Sequence, residues 1–327
     1  MKSALIGCGS IAPLHVQAVR ALGADMAAVC DTDIRKAENF RKQYGLDSAK
    51  VYSSYTEMFD EEKPDVVHIA TPHYLHAEMS AAALKRNINV LSEKPLCINP
   101  GEITILKNAL KKSSAKFGVC FQNRYLNETR FIKNYLADKK ILYSFGSVVW
   151  GRDEKYYKSA DWRGRFSTEG GGVGINQAIH TLDLLLWIGG RVPEKVYADV
   201  SNRHLSNVIE VEDTISAYFN YGEFRGQFYA TTAAYRDMPV EVVFQTGEET
   251  VAMSGGSVFI NGKKADIADN GLVIGKNCWG AGHGALIADF YHSLKTGEPF
   301  AVDIFEAEKT MKTLFAVYAS KGKEILL

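Results

Sequence analysis

The turn Gly7-Cys8-Gly9-Ser10-Ile11-Ala12 constrains the fold of this 327-residue chain more than any other stretch. It follows a short apolar run, residues 3–6, that is typical of a buried strand, and a helical pattern then continues to residue 22. A G-x-G-x-x-A turn between a strand and a helix lets the backbone approach a pyrophosphate, which the helix N-terminus also attracts. The pattern predicts a dinucleotide site formed by Gly7, Gly9, Ser10, Ile11 and Ala12.

Asp31 ends the next apolar run, residues 26–30, and lies 22 residues beyond the second glycine. A carboxylate at this distance hydrogen-bonds the ribose hydroxyls of NAD and repels the 2′-phosphate of NADP. We therefore expect NAD as the cofactor, although Arg35 and Lys36 follow closely and would weaken the discrimination against NADP. The alternative is that Asp31 only caps the helix that begins near Ile34, because aspartate is a preferred N-cap residue.

Strands and helices alternate through the first 122 residues. Apolar runs typical of buried strands end at residues 70, 91 and 121, and helical patterns lie between them. This alternation predicts an α/β domain over residues 1–122, with a doubly wound parallel sheet of the Rossmann type.

Lys94 lies directly after one of these strands, in the stretch Ser92-Glu93-Lys94-Pro95-Leu96. Pro95 cannot donate to a sheet ladder, so the strand is expected to stop here. A lysine at the carboxyl end of a parallel strand points into the crevice where such folds bind ligands. Lys94 is therefore a candidate functional residue, and the alternative is an ordinary surface lysine.

Four short motifs together resemble the Gfo/Idh/MocA family, named for glucose–fructose oxidoreductase and inositol dehydrogenase. They are the glycine turn, Thr71-Pro72 with His76, Glu93-Lys94-Pro95, and Gln122-Asn123-Arg124. Their order and spacing carry the specificity, and the resemblance continues nearly to the C-terminus. It implies that Lys94 lies between nicotinamide and substrate. It also implies a substrate contact from Arg124 and cofactor contacts from Thr71, Pro72, His76, Glu93 and Gln122, although His73 and His76 are equally compatible with plain loop residues.

The pattern changes after residue 124. A helix is predicted over residues 128–137, and six runs rich in β-branched and aromatic residues then predict strands over 142–150, 195–200, 213–221, 226–233, 240–245 and 256–260. These runs predict a second, α+β domain over residues 123–327 with a large, mainly antiparallel open sheet, as the resemblance also implies. Because the outer face of such a sheet needs covering, we expect a homodimer or homotetramer formed through it.

Two amphipathic helices, over residues 284–295 and 305–321, are predicted near the end of the chain. The resemblance implies that the C-terminal helices, about residues 301–321, return to pack on the first domain.

The segment after Gly170-Gly171-Gly172 contains further candidates for catalysis. One continuous helical pattern places the apolar residues 175, 179, 182 and 186 on one stripe. Asn176, His180 and Asp183 fall on a second stripe about a quarter-turn away. A polar stripe beside an apolar one suggests that this face lines a cleft.

His180 resembles the histidine of the family's G-G-x-x-x-D-x-x-x-H segment, which implies a general base, and a satisfied core histidine is the alternative. Asn176 stands where many members of the family carry aspartate, although some sugar-oxidising relatives are similar in having asparagine. An asparagine can orient a hydroxyl or the imidazole, but it carries no charge that would stabilise an imidazolium. We therefore expect no negative charge on this face beside His180.

A predicted loop over residues 151–166 is crowded with aromatic and guanidinium groups, which suit stacking on sugar rings and binding of carboxylate or phosphate. Arg152, Trp162 and Arg163 are the candidates for substrate binding here. The alternative is a solvated charged loop.

Composition limits the functional classes. Lys+Arg and Asp+Glu are both 38, so the basic excess typical of nucleic-acid and membrane-surface proteins is missing. No apolar run approaches the length of a membrane span or a signal peptide. Five scattered cysteines without C-x-x-C spacing are typical of free thiols, so we expect a cytoplasmic protein with neither a disulfide framework nor a metal site.

The motifs together predict an NAD-dependent dehydrogenase for a secondary alcohol of a sugar, cyclitol or nucleotide-sugar. His180 would take the hydroxyl proton, Lys94 would stabilise the developing alkoxide, and Asn176 would fix the substrate. Two alternatives remain open at this point. One is an NAD-dependent glycosidase that uses transient oxidation, and the other is a non-catalytic NAD-binding regulator on the same fold.

Overall fold

The computed structural model describes residues 1–269 and 282–327, which form two compact units. The first unit contains residues 1–122 and 282–307, and the second contains residues 123–269 and 308–327. Among the described residues, none of the helices combines the length and the apolar character needed to cross a bilayer. Cys278 lies outside the described part of the chain, and the other four cysteines are buried and form no disulfide with one another.

A six-stranded parallel sheet forms the centre of the first unit, which confirms the predicted Rossmann-type fold. Its order is β3-β2-β1-β4-β5-β6. Its central strands are made almost entirely of buried apolar residues, as expected for a sheet covered on both faces. The strands are β1 (Lys2–Ile6), β2 (Asp25–Cys30), β3 (Lys50–Tyr52), β4 (Val66–Ile69), β5 (Asn89–Ser92) and β6 (Phe117–Val119).

Helices connect these strands, and side chains cap three of them. The helices are α1 (Ala12–Ala21), α2 (Ile34–Gln43), α3 (Tyr55–Glu62), α4 (His76–Leu84) and α5 (Pro100–Lys111). Asp33 caps α2, Ser54 caps α3, and Asn99 forms a capping box with Glu102 at the start of α5. Such caps satisfy N–H groups that have no partner within the helix.

A nine-stranded mixed sheet forms the second unit, in the order β14-β13-β12-β11-β7-β10-β9-β8-β15. All neighbouring strands are antiparallel except β7 and β10, so the prediction of a mainly antiparallel sheet is confirmed. The strands are β7 (Ile141–Val149), β8 (Lys195–Ser201), β9 (Thr214–Asn220), β10 (Arg225–Thr231), β11 (Glu241–Thr246), β12 (Thr250–Ser254), β13 (Ser257–Ile260), β14 (Lys263–Lys264) and β15 (Ile325–Leu326).

The helices of the second half are α6 (Asn127–Tyr135), α7 (Glu154–Lys158), α8 (Val173–Asn176), α9 (Ile179–Gly189), α10 (His283–Thr296) and α11 (Ile304–Ser320). Helix α10 belongs to the first unit and packs against α1. The boundary between the units falls inside α11, after Ala307.

The two faces of the large sheet differ in polarity and packing. Helix α9 lies close against β7 at Gly146, where a Cβ would come within 2.9 Å of Thr181 and Leu185. Along β8 and β9, buried side chains alternate with exposed ones. Tyr197 and Tyr218, which pair across these strands, are both about half exposed. The sheet therefore has one face packed on helices and one that presents aromatic side chains.

Candidate active site

The glycine turn leads from β1 into α1, and its first glycine is required by its surroundings. Gly7 has a positive φ of 92°, and a Cβ there would lie 2.4 Å from the carbonyl oxygen of Ala70, at the end of β4. Gly9 has no atom within 4 Å of where its Cβ would be, and Ser10 is exposed. The second half of the turn is therefore open, beside the helix N-terminus that attracts anions.

Asp31 faces this turn. Its Oδ2 accepts a hydrogen bond from the backbone N–H of Cys8 at 2.9 Å and lies 2.9 Å from Nζ of Lys36. Partial burial would raise the pKa of Asp31, but Lys36 and the N–H groups of Cys8 and Asp33 hold that pKa below its usual value. The N-cap of α2 is Asp33, so the alternative in which Asp31 caps that helix is not what the structure shows.

His76 connects the segments that follow β4 and β5. It is fully buried, and its two ring nitrogens lie 2.8 Å from the carbonyl oxygen of Pro95 and 2.9 Å from that of Thr71. Burial lowers the pKa of His76, against the effect of the two carbonyls. His76 thereby holds the Lys94–Pro95 peptide bond, which is cis, beside Thr71-Pro72. His73 is buried as well, whereas Thr71 and Pro72 are partly exposed.

Lys94 is the partly exposed residue in a buried segment. Residues 90–97 are all buried except this lysine. Glu93, directly before it, is buried and accepts hydrogen bonds from Nε2 of His15 at 3.1 Å and Nε2 of His283 at 3.0 Å. Burial alone would raise the pKa of Glu93, but these two histidines hold it well below its usual range. The turn thus pairs a half-buried ammonium with a buried carboxylate.

A chain of buried polar groups continues from Glu93 into the core of the first unit. Nδ1 of His15 lies 2.9 Å from Nδ1 of His68, whose Nε2 is 2.8 Å from the hydroxyl of Tyr291. That hydroxyl in turn lies 2.6 Å from the hydroxyl of Ser3 on β1. The chain satisfies these buried groups and anchors the turn that carries Lys94.

The same cluster contains a set of possible metal ligands, since one ligand atom each from His15, Glu93 and Cys120 lie within 4.8 Å of one another. Burial and the Glu93 carboxylate hold the pKa of the Cys120 thiol well above its usual value. A protonated thiol and hydrogen-bonded imidazoles account for this arrangement without an ion.

Arg124 is buried in the second unit. Its guanidinium donates two hydrogen bonds to Asp183, at 2.8 and 2.7 Å, and Thr310 donates a third to the same carboxylate at 2.8 Å. Asp183 therefore belongs to a buried ion pair, and the expectation that it lines a cleft with Asn176 and His180 is not what the structure shows. Gln122, two residues earlier, is buried in the first unit.

The predicted continuous helix over Asn176 and His180 is interrupted. Helix α8 ends at Asn176 and α9 begins at Ile179, because the N–H of Ala178 bonds to the carbonyl five residues earlier, that of Val173, at 2.8 Å. Within residues 171–186, every position is buried except Asn176 and His180. The two residues that the periodicity placed on a polar stripe are thus partly exposed, but they do not lie on one regular helix.

Two buried carboxylates hold the glycine segment, and sequence reasoning missed both. Glu169 accepts hydrogen bonds from Nδ2 of Asn176 and from the N–H of Gly164. A carboxyl group therefore contacts Asn176 on this face, which was not predicted from the sequence. Glu212 accepts from the N–H groups of Gly172 at 2.7 Å and Gly174 at 2.9 Å.

The buried position of Glu212 changes its acidity. Burial raises its pKa from 4.5 to about 7, although the N–H groups of Gly174 and Gly172 and the hydroxyl of Tyr318 act in the opposite direction. Gly172 is required here, because a Cβ would come within 1.9 Å of the carbonyl oxygen of Glu212. The run of glycines was the available signal that another chain segment approaches closely.

The predicted substrate loop is organised around Tyr156. The guanidinium of Arg163 lies 4.4 Å from the Tyr156 ring and 4.7 Å from that of Trp162, and the guanidinium of Arg152 lies 5.1 Å from Tyr156. Such distances are typical of cation–π contacts. The residues therefore form an ordered cluster rather than a fully solvated loop.

An open cavity of about 680 Å³ lies beside this cluster in the second unit, lined in part by Arg152, Asp153, Tyr156, His204 and Tyr235. It brings one of the three predicted loop residues, Arg152, to a concave surface.

Comparison with known protein families matches both halves of the chain. Residues 1–121 match the oxidoreductase family GFO_IDH_MocA with its NAD-binding Rossmann fold. Residues 141–249 match the GFO/IDH/MocA C-terminal domain.

Among curated proteins, glucose-6-phosphate 3-dehydrogenase of Bacillus subtilis is 26% identical over 233 residues, which are 69% of this chain and 64% of that protein. D-glucoside 3-dehydrogenase of Escherichia coli is 24% identical over 202 residues, 58% of this chain and 54% of that protein. The matched region thus spans between about half and two thirds of these relatives.

Among solved structures, the WlbA dehydrogenase of Bordetella pertussis, in complex with NADH and UDP-GlcNAcA, superposes with a TM-score of 0.87. It is 25% identical, and the match covers 100% of this chain and 98% of that one.

Proposed function

This chain belongs to the GFO/IDH/MocA family of oxidoreductases, and from that premise we propose that it is an NAD-dependent dehydrogenase acting on a secondary alcohol of a sugar, cyclitol or nucleotide-sugar. One observation carries the proposal. Lys94 is the partly exposed residue among residues 90–97, and Asn176 and His180 are the partly exposed residues among 171–186. These three residues offer a hydrogen-bond donor, an orienting amide and a base, which are groups that a catalytic site needs.

The glycine turn fits the proposed cofactor, which would supply the acceptor or donor of the hydride. Gly7 admits the close turn, and the open approach at Gly9 and Ser10 lies beside the N-terminus of α1. Asp31, fixed by the N–H of Cys8, would bind the ribose hydroxyls. We propose NAD as the cofactor, with further contacts from the residues that the family motifs predict: Ile11, Ala12, Thr71, Pro72, His76, Glu93 and Gln122.

In this proposal, the imidazole of His180 accepts the hydroxyl proton at a ring nitrogen while the carbon–hydrogen bond breaks. The ammonium of Lys94 donates a hydrogen bond to the same oxygen and stabilises its developing negative charge. Asn176 orients the hydroxyl. Arg152, Trp162 and Arg163 would bind the remainder of the substrate, because their stacked cations and rings suit both sugar faces and acidic groups. Arg124 would contact the substrate while it remains paired with Asp183.

Assembly and location are part of the proposal. The exposed aromatic face of the large sheet, with Tyr197, Tyr218 and Tyr229, would form the interface of a homodimer or homotetramer. Light scattering should give two or four times the mass of one chain, and Tyr218→Lys should lower it, whereas a monomeric wild-type protein would contradict this assembly. We also propose a cytoplasmic location, because five scattered cysteines without C-x-x-C spacing are typical of free thiols.

Incubation with NAD and a panel of sugars, cyclitols and nucleotide-sugars tests the proposed activity. Net formation of NADH that is lost in His180→Ala would support the dehydrogenase. Bond cleavage without net NADH would indicate a glycosidase, and cofactor binding with neither reaction would indicate a regulator. A folded and fully active His180→Ala variant would remove this histidine from the mechanism.

A further inference from the structure

Glu169 is a fully buried carboxylate that lies between the substrate loop and the candidate active site. Its Oε2 accepts a hydrogen bond from the N–H of Gly164 at 2.5 Å, and its Oε1 accepts one from Nδ2 of Asn176. Both partners are in the second unit, as is Glu169 itself. A buried carboxylate costs free energy unless its oxygens are hydrogen-bonded, so these two contacts are expected to be strong.

The contact fixes which way the Asn176 amide faces. Nδ2 of Asn176 donates to Oε1 of Glu169, so the branch of the amide that meets Glu169 is the NH₂ group. The same nitrogen lies 3.4 Å from the hydroxyl of Tyr156, which also accepts from Nε2 of Gln177 at 2.8 Å. The carbonyl oxygen of Asn176 is on the opposite branch and faces away from Glu169.

This orientation has a chemical consequence. A substrate hydroxyl that meets the carbonyl branch of Asn176 finds an acceptor rather than a donor. A hydroxyl next to the reacting one can therefore donate its proton to Asn176, which leaves the proton of the reacting hydroxyl for His180. An amide turned the other way would offer a donor at this place and could not accept from that neighbouring hydroxyl.

We propose that Glu169 is a positioning residue for the dehydrogenase site, which holds Asn176 with its carbonyl oxygen toward the substrate hydroxyl. This inference rests on the proposed function. Glu169 acts through Asn176 and makes no contact with the reacting atoms. The carboxylate also joins Asn176 to the turn at Gly164, so that the substrate loop and the candidate active site are linked through one side chain.

Exchange of the two functional groups tests the proposal more sharply than removal of either. In the double variant Glu169→Gln/Asn176→Asp, the carbonyl of the introduced glutamine can accept from Gly164 while its NH₂ donates to the introduced carboxylate. The introduced aspartate then presents an acceptor to the substrate, as Asn176 does in the wild type. In Glu169→Gln alone, the Gly164 N–H still fixes the glutamine carbonyl, so the glutamine NH₂ meets Asn176 and favours the opposite direction of its amide. In Asn176→Asp alone, a partly exposed carboxyl group meets the buried one, and the two must share a proton.

We expect each single variant to lower kcat/KM for the sugar by about 10- to 100-fold, because small errors of orientation are costly in catalysis. The exchange variant should recover to within about tenfold of the wild type, a non-additivity that reports direct coupling. Glu210→Gln, an exposed acid near β9, is the matched control and should behave as the wild type. Full activity of Glu169→Gln, or an exchange variant no better than the worse single variant, would overturn the proposal.

Thermal unfolding of the wild type, the two single variants and the exchange variant supplies a readout that does not depend on the reaction. The exchange variant should melt above both single variants, and additive changes in Tm would overturn the proposed contact. If Glu169→Gln melts below the assay temperature, Asn176→Asp and the exchange variant alone decide the kinetic test. If none of the sugars tested lets the wild-type protein reduce NAD, the proposed function is refuted. The melting temperatures would still test the contact between Glu169 and Asn176.

Discussion

In the first unit, the carboxylate of Glu93 lies directly before Lys94 and accepts hydrogen bonds from His15 and His283. In the second unit, the carboxylate of Glu212 holds the glycine segment before Asn176 and accepts from two backbone N–H groups and the Tyr318 hydroxyl. Both carboxylates are buried and both support a candidate catalytic residue. Imidazoles hold the pKa of Glu93 well below its usual range, whereas burial raises the pKa of Glu212 to about 7.

The difference shows that the partner, and not burial alone, decides the charge of a buried acid. Imidazole groups can share or take up a proton, so Glu93 stays ionised throughout the physiological range. Backbone N–H groups carry no net charge, and around Glu212 their hydrogen bonds do not offset the loss of hydration. We infer that Glu93 keeps its charge near neutral pH, whereas Glu212 changes its charge there.

The largest expected effect concerns Lys94, which directly follows Glu93. Lys94→Ala should lower kcat by about 100- to 1000-fold, as expected when one donor to a developing oxyanion is lost. Its affinity for NAD should change little, because the ammonium is expected to reach the reacting oxygen rather than the adenosine. Steady-state kinetics and cofactor titration measure the two effects, with the exposed Lys85→Ala as control. Normal turnover would show that Lys94 is only a surface lysine.

The next effect concerns the carboxylate with the raised pKa. The folded state holds the Glu212 proton more tightly than the unfolded chain, so stability should fall as pH rises from about 4.5 to about 7. A shift of this size corresponds to roughly 3 kcal/mol. The variant Glu212→Gln has no ionisable group at this position, so its stability should not show this fall with rising pH. Denaturant unfolding from pH 5 to 7.5 compares the two slopes, and parallel slopes would show that Glu212 does not titrate in this window.

The contrasting carboxylate should show a smaller effect. Glu93→Gln keeps the shape of the side chain but replaces two charge-assisted hydrogen bonds by neutral ones, so we expect a loss of about 2 kcal/mol in unfolding free energy. Since its pKa lies below the usual range, Glu93 contributes its stability above pH 4.5 and loses it only under acid. Glu38→Gln, on the exposed side of α2, is the matched control. An unchanged unfolding free energy at pH 7 would contradict the role of the His15–Glu93–His283 cluster.

Much of the fold could be predicted because its signals are local. The glycine turn, the alternation of strand and helix, and the later runs of β-branched residues each lie within about ten residues of sequence. The break between α8 and α9 was missed, since a bond from Ala178 to the carbonyl of Val173 leaves no mark on hydrophobic periodicity.

The supporting carboxylates could not be found in the same way. Glu212 meets Gly172 across 40 residues of chain, and Glu93 meets His283 across 190. Such pairings depend on the tertiary fold, and sequence offers only indirect signals, such as the glycine run at Gly170-Gly171-Gly172. Lys94, Asn176 and His180 were among the predicted residues, whereas Glu169 and Glu212 were not, and Glu93 was predicted only as a cofactor contact.

The smallest effect concerns Asp31, a more exposed acid of the first unit. It tests whether the partner group decides the effect of this carboxylate as well. Lys36 contacts its carboxylate at 2.9 Å and would also attract a 2′-phosphate, so Asp31 and Lys36 act in opposite directions on cofactor choice. We expect NAD to bind at least about tenfold more tightly than NADP, which corresponds to about 1.4 kcal/mol. Asp31→Ser should narrow this ratio by removing the repulsion, and Lys36→Met should widen it by leaving the carboxylate unneutralised. Fluorescence titration of NADH and NADPH measures both ratios. Equal affinities in the wild type would mean that Lys36 cancels the charge of Asp31, and cofactor choice would then be set by the ion pair and not by the aspartate alone.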